Sequence, residues 1–142
     1  MGAGRAGSAA AAYARKQEVS WLAVGIGAML GAWLRWGASI WLGAYQNQLP
    51  LGTLLVNLAG GYLAGLAVGF FEGHPLLPVE WRLLVITGFL GGLTTFSTFS
   101  AESMVLLQQG EYGWFLGHTL LHLCGSIILC IAGFMTYRAI SF

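Results

Sequence analysis

A chain of 142 residues in which 57% are hydrophobic and only 8% charged is not a soluble domain, where about a quarter of residues carry charge. With a mean hydropathy of +0.74, that length allows about four membrane spans with short loops and leaves no room for a separate soluble domain. A formal net charge of +1 excludes a basic field for nucleic acid.

Residues 1–18 form a Gly/Ala-rich tail with three basic residues, Arg5, Arg15 and Lys16, and no leucine-rich core of a signal peptide. The tail is expected to be disordered or a frayed helix, and 19–142 to form a single transmembrane domain. Segment one runs from about Val19 to Trp41, with Trp21 and Trp41 suited to the two interfaces. Its Gly27-xxx-Gly31 spacing lets another helix approach closely. Arg35 is the one basic residue well inside a span. Ala44 to Pro50 reads as a short polar loop.

Segment two runs from about Leu51 to Phe71. Asn57, Gly61, Gly65 and Gly69 recur every four residues and so form one stripe on a helix. Such a stripe predicts a backbone packed against a neighbour, with an amide at its head. Glu72 to Glu80, containing Pro75 and Pro78, is the second loop.

Segment three runs from about Trp81 to Gln108 and contains the least lipid-compatible stretch of the chain, residues 88–100. Gly88, Gly91 and Gly92 each weaken a helix by roughly 1 kcal/mol relative to alanine. Thr94, Thr95, Ser97, Thr98 and Ser100 then follow, interleaved with Phe96 and Phe99. Hydrocarbon leaves every polar group to find an internal partner. A break near Gly91–Thr94 is therefore expected to meet protein, water or an ion.

Gln109 to Gly113 is a turn, and segment four runs from about Trp114 to Tyr137. His118, His122, Ser126 and Cys130 share one face of it at i, i+4 spacing. Cys124 and Cys130, six apart, point to different faces and cannot bridge. The two histidines have metal-ligand spacing, yet nothing suitable for a third and fourth zinc ligand lies near in sequence. There is no nucleophile–base arrangement, phosphate loop or Cys/His cluster, so an enzyme is not expected.

Four short helices enclose little volume. The glycine stripes and the broken third helix point to a homodimer whose breaks meet near a two-fold axis. Freed carbonyls around Gly91 to Thr94 are then either oxygen ligands for a monovalent cation or partners for the adjacent hydroxyls. Phe96 and Phe99, at i, i+3, share a face, and their positive ring edges can line an anion path beside hydroxyl and amide donors such as Asn57. Arg35 and Glu102 are ionisable groups inside spans, either functional or paired and snorkelling. Without the tail the basic bias is about two against one, Arg82 and Arg138 against Arg35, which is weak and permits insertion both ways; with the tail it favours the N-terminus inside.

Three stretches together resemble the Fluc (CrcB) family of fluoride channels: Gly27-Ala-Met-Leu-Gly31-Ala-Trp-Leu-Arg35, Gly52-Thr-Leu-Leu-Val-Asn57, and residues 88–100, GFLGGLTTFSTFS. The third is the most specific, and the resemblance covers about Trp21 to Tyr137. It implies an all-α integral membrane fold with four transmembrane helices per subunit, the third broken, assembled as an antiparallel, dual-topology homodimer in the plasma (inner) membrane. It implies passive fluoride export through two pores. By the same resemblance, Phe96 and Phe99 line the pores with their ring edges, with Thr95 and Thr98 among the flanking hydroxyls. Asn57 donates to the ion, His122 and Ser126 belong to a polar track on helix four, Glu102 lies near one pore end and Arg35 near a vestibule. A central structural Na+ is held by the backbone around Gly91 and Thr94. The competing reading is a small multidrug-type four-helix transporter. That class centres on a carboxylate in its first span, whereas the intramembrane acid here, Glu102, is in segment three.

Overall fold

The computed structural model describes residues 3–43 and 50–141, with side-chain surroundings for 16–42 and 50–141. The polar loop expected over Ala44–Pro50 therefore lies, Pro50 apart, outside the described residues. Among the described residues every regular element is helical, and four helical stretches are long and apolar enough to cross a membrane.

Helix α1 spans Ala3–Gly43 and takes in most of the tail; its apolar part is Lys16–Leu42. Helix α2 spans Leu51–Gly73. The third span, Val79–Gln108, is in two pieces. Its first piece, α3, covers residues 79–93, passing from Val79–Arg82 through a π-helical stretch, Leu83–Leu90, to Gly91–Leu93. Its second, α4, is Phe96–Gln108. Helix α5, Tyr112–Ile140, carries a second π-helical stretch at Leu121–Gly125.

The connection from α4 to α5 is short because Gly110 takes φ 75°. The Gly110 N–H then reaches the Leu107 carbonyl (3.1 Å) and the Glu111 N–H that of Leu106 (2.9 Å). This is a Schellman cap, for which glycine has the least strain. Between α2 and α3, Pro78 precedes the first turn, where a missing N–H costs nothing.

Two glycine-mediated pairs build the bundle. Lipid tails are as apolar as leucine, so helices in membranes associate largely through close packing of small residues. A Cβ on Gly27 would meet the Leu84 carbonyl and, at 2.7 Å, the Phe89 nitrogen; one on Gly31 would lie 2.7 Å from the Leu93 nitrogen. The contact is reciprocal, since Gly88 faces the Val24 carbonyl at 2.7 Å and Gly92 faces Ala28. Helices α1 and α3 thus touch backbone to backbone. The stripe expected on α2 packs against α5: Gly61 meets the backbone of Ser126, Gly65 that of Cys130 and Phe134, and Gly69 the Tyr137 side chain. Gly133 of α5 returns the contact on Tyr62. A small buried cluster, Val56, Ala67, Leu90 and Leu93, joins the two pairs. Trp21, Trp41 and Trp81, together with Ile127, Ile128, Ile131 and Met135, face outward.

Candidate functional site

The third span stops being helical at Thr94 (φ −81°, ψ 155°) and Thr95 (φ −148°, ψ 112°), both extended. The break thus falls at the C-terminal edge of the expected Gly91–Thr94 window. In an extended residue the N–H and C=O point the same way. The Asn57 carboxamide on α2 mates with both: Thr95 N–H donates to Asn57 Oδ1 (2.7 Å) and Asn57 Nδ2 donates to the Thr95 carbonyl (3.1 Å). A neighbouring side chain thereby satisfies a peptide that neither half-helix can.

The restart is local. Thr95 is the N-cap of α4, its hydroxyl accepting the Thr98 N–H (3.2 Å) and donating to Thr98 Oγ1 (2.9 Å). Upstream, the Thr94 hydroxyl donates to the Leu90 carbonyl (2.8 Å), and the absence of a Cβ on Gly60 makes room for the Thr94 methyl.

One donor is diverted by this arrangement. In a continuous helix Thr95 N–H would go to the Gly91 carbonyl, but here it goes to Asn57. Gly91 is also open, with only the Ile86 carbonyl, at 3.9 Å, near an added Cβ. An exposed carbonyl without its helical donor, one turn from a threonine hydroxyl, is a donor set that suits a hard monovalent cation.

Phe96 and Phe99 lie on the first turn of α4 with ring centroids 5.4 Å apart. Phe96 is 72% exposed and Phe99 is buried. The Phe99 ring stacks on His118 (5.2 Å, 19°) and lies tilted against His122 (4.9 Å, 33°). Both histidines are buried. Asn57 Nδ2 and His122 Nδ1 are 3.0 Å apart, so one carboxamide joins the break to α5. Ser126 Oγ, one turn on, donates to the Asn57 carbonyl at 3.4 Å. Asn57, Phe96, Phe99, His122 and Ser126, with Gly91 and Thr94, line an open groove of about 440 Å³.

Glu102 sits two turns along α4, where its carboxylate accepts the Thr53 hydroxyl (2.6 Å) and lies 3.3 Å from His118 Nε2. Ser103 Oγ is 3.2 Å from His118 Nδ1. The sequence reading did not single out Thr53 or Ser103 as site residues. Helical spacing carries the signal for both, since Thr53 is four before Asn57 on α2 and Ser103 four after Phe99 on α4. Arg35 is half-buried on α1 and does not line the groove; among the described residues its side chain has no ion-pair partner.

Comparison with known proteins adds to this geometry. A family model described as "CrcB-like protein, Camphor Resistance (CrcB)" matches residues 22–134. A protein of Cupriavidus pinatubonensis named "Fluoride-specific ion channel FluC" is 60% identical over 123 residues, which is 87% of this chain and 98% of that protein. Proteins with the same name from Cupriavidus taiwanensis (58% over 123 residues; 87% and 98% covered) and Pseudomonas putida (57% over 122 residues; 86% and 96% covered) are also similar.

Proposed function

The chain belongs to the CrcB family, and from that membership we propose that it is a fluoride channel, letting the ion leave down its gradient through two paths in an antiparallel homodimer of the inner membrane. It is a multi-pass membrane protein and a channel rather than an enzyme. The observation that carries the reading is the broken third span, its extended Thr95 mated to Asn57 beside two phenyl rings and a buried histidine.

Fluoride is small and tightly hydrated. A path for it must replace that water with many weak donors, none strong enough to trap it. The Phe96 and Phe99 ring edges, the Thr95, Thr98 and Ser126 hydroxyls, and the N–H groups of Asn57 and His122 are donors of this class. Glu102 lies at one end of that row, held by Thr53. Arg35 is assigned to a vestibule.

A second copy is supported by what one copy leaves open. The groove carries Asn57, Thr94 and Thr95, and Phe96 at its edge is largely exposed. Lipid cannot partner the polar groups. An inverted second copy would cover them. Gly91 and Thr94, with their symmetry mates, are the residues that would hold a Na+ ion, which supplies positive charge for carbonyl oxygens that have no N–H.

Liposome flux tests the reading. Vesicles containing the protein are expected to release fluoride rapidly and chloride hardly at all; equal rates for the two ions would overturn the selective-channel function. Proton-coupled export of a cationic dye would instead favour a multidrug-type transporter.

A further inference from the structure

The proposed path gives no task to His118, whose side chain is fully buried. Its ring is held at both ends: Nδ1 is 3.2 Å from Ser103 Oγ and Nε2 is 3.3 Å from Glu102 Oε2. Glu102 is tied through its other oxygen, where Oε1 accepts the Thr53 hydroxyl at 2.6 Å. His122 lies one turn along α5, with ring centroids 4.4 Å apart. It is buried too; Nδ1 meets Asn57 Nδ2 at 3.0 Å, and Nε2 has no hydrogen-bond partner. Glu102, His118 and His122 each offer a ligand atom, and these atoms all lie within 4.8 Å of one another. The third metal ligand that is missing beside the two histidines in sequence is supplied by α4, from across the turn.

We propose that Glu102, His118 and His122 form a binding site for zinc or a similar divalent transition metal, and that filling it closes the anion path. The binding stands on this geometry alone; the closure rests on the fluoride-channel reading. Two imidazoles and one carboxylate suit zinc, whereas magnesium and calcium take oxygen ligands. Ligands held about 2.0–2.2 Å from a tetrahedral zinc stand about 3.3 Å from one another. His118 Nε2 and Glu102 Oε2 already have that separation. A histidine bound to a metal donates its other N–H to a neighbour, and a carboxylate ligand is itself hydrogen-bonded. Ser103 is placed to take the Nδ1 proton of His118, and Thr53 anchors Glu102. The Glu102 side chain is 18% exposed, which gives a cation a way in.

His122 limits the strength of the site. For Nε2 to bind a cation the ring proton must sit on Nδ1, where it would face the Asn57 N–H. Filling the site therefore turns the ring off Asn57 and gives up that contact. The metal is on this account a reversible visitor, and without it the path keeps its weak donors. With it, a fixed double charge stands beside the Phe99 ring, which packs on both histidines. A path that works because no donor traps the anion then contains one centre that does.

The experiment titrates the purified full-length protein with ZnCl2 against a chromophoric chelator, and measures fluoride efflux from liposomes of the same preparation with ZnCl2 on both sides. One zinc per chain is expected to bind at micromolar free concentration and to stop most of the efflux, with EDTA restoring it and MgCl2 having no effect. His118→Gln should still conduct but need far more zinc for the same block. Ser103→Ala, which removes only the partner of His118 Nδ1, should need about tenfold more or beyond. His74→Gln, at the third histidine of the chain, should leave the block unchanged. If His118→Gln does not fold, the Ser103 and His74 variants carry the test. No bound zinc, bound zinc without loss of flux, a block that His118→Gln and Ser103→Ala leave at the wild-type concentration, or one that His74→Gln abolishes would each overturn the inference and leave the channel reading intact. Absence of fluoride flux from the zinc-free wild type would overturn that reading and the closure with it, while the chelator titration would still decide the binding.

Discussion

Thr53 shows how much of the site hangs on single hydroxyls. It is buried and gives the 2.6 Å bond to Glu102. Thr53→Val keeps the shape and removes the donor, leaving a carboxylate inside a span with one partner fewer. The expected cost is about 1.5–3 kcal/mol, as for other hydrogen bonds to charged groups, and denaturation in detergent would measure it. The rings make a sharper functional case. Phe96→Ile and Phe99→Ile remove the positive ring edge while keeping bulk, so fluoride flux should be lost with the size-exclusion profile unchanged. Unchanged flux in both would remove the rings from the path. Phe96 and Phe99 stand out in the sequence because hydroxyls flank them on every side. Thr53 and Ser103 do not, because their meaning comes from Glu102 and His118, 49 and 15 residues away.

Among helices, three glycines that look alike in the sequence have separate duties. Gly88 and Gly92 seat α3 on α1, whereas Gly91 faces open space. Periodicity exposed the stripes, since i, i+4 spacing is a property of one chain segment. It could not say which helix each stripe would meet, nor that α2 would reach across to hold the break. The break itself is placed by Thr95, whose N–H is taken by Asn57 and whose hydroxyl caps α4, so it lies at the edge of the glycine run. Substitution should separate these duties. A Cβ at Gly65 would run into the Cys130 carbonyl and come within 2.7 Å of the Phe134 nitrogen. Backbone on both sides cannot give way, so Gly65→Val should abolish recovery of folded protein. Gly91→Ala finds its nearest atom at 3.9 Å. It should leave the protomer's helices intact by circular dichroism, and any loss of dimer would then report a partner at that surface.

At the scale of the whole molecule, a single copy leaves its groove open. The spans face outward with Trp, Leu and Ile, as lipid requires, but the groove at the break combines open backbone and hydroxyls with an exposed phenyl ring. Leaving aside the basic residues of the N-terminal tail, the charge bias is weak: Arg82 and Arg138 mark one face and Arg35 lies nearer the other. Single cysteines introduced into the loop at residues 74–78 and the turn at 109–111 should each react with an impermeant reagent from both sides of the membrane. Labelling of each from one side alone would contradict an antiparallel dimer. Replacing external and internal Na+ by a large organic cation should weaken the assembly if Gly91 and Thr94 hold that ion, with dimer dissociation as the readout.

The mating of Asn57 to Thr95 constrains the two positions unequally. At 95 the bonds come from the peptide unit and a capping hydroxyl, so serine could stand in for threonine. At 57 a planar group must accept on one atom and donate twice from the other at one fixed reach. Aspartate loses the donors, glutamine overshoots by a methylene, and histidine cannot supply both roles on one edge. A saturation library selected for growth in fluoride should therefore return asparagine almost alone at 57 and a pair of hydroxyl residues at 95, so the joint of the third span is written mainly in the second.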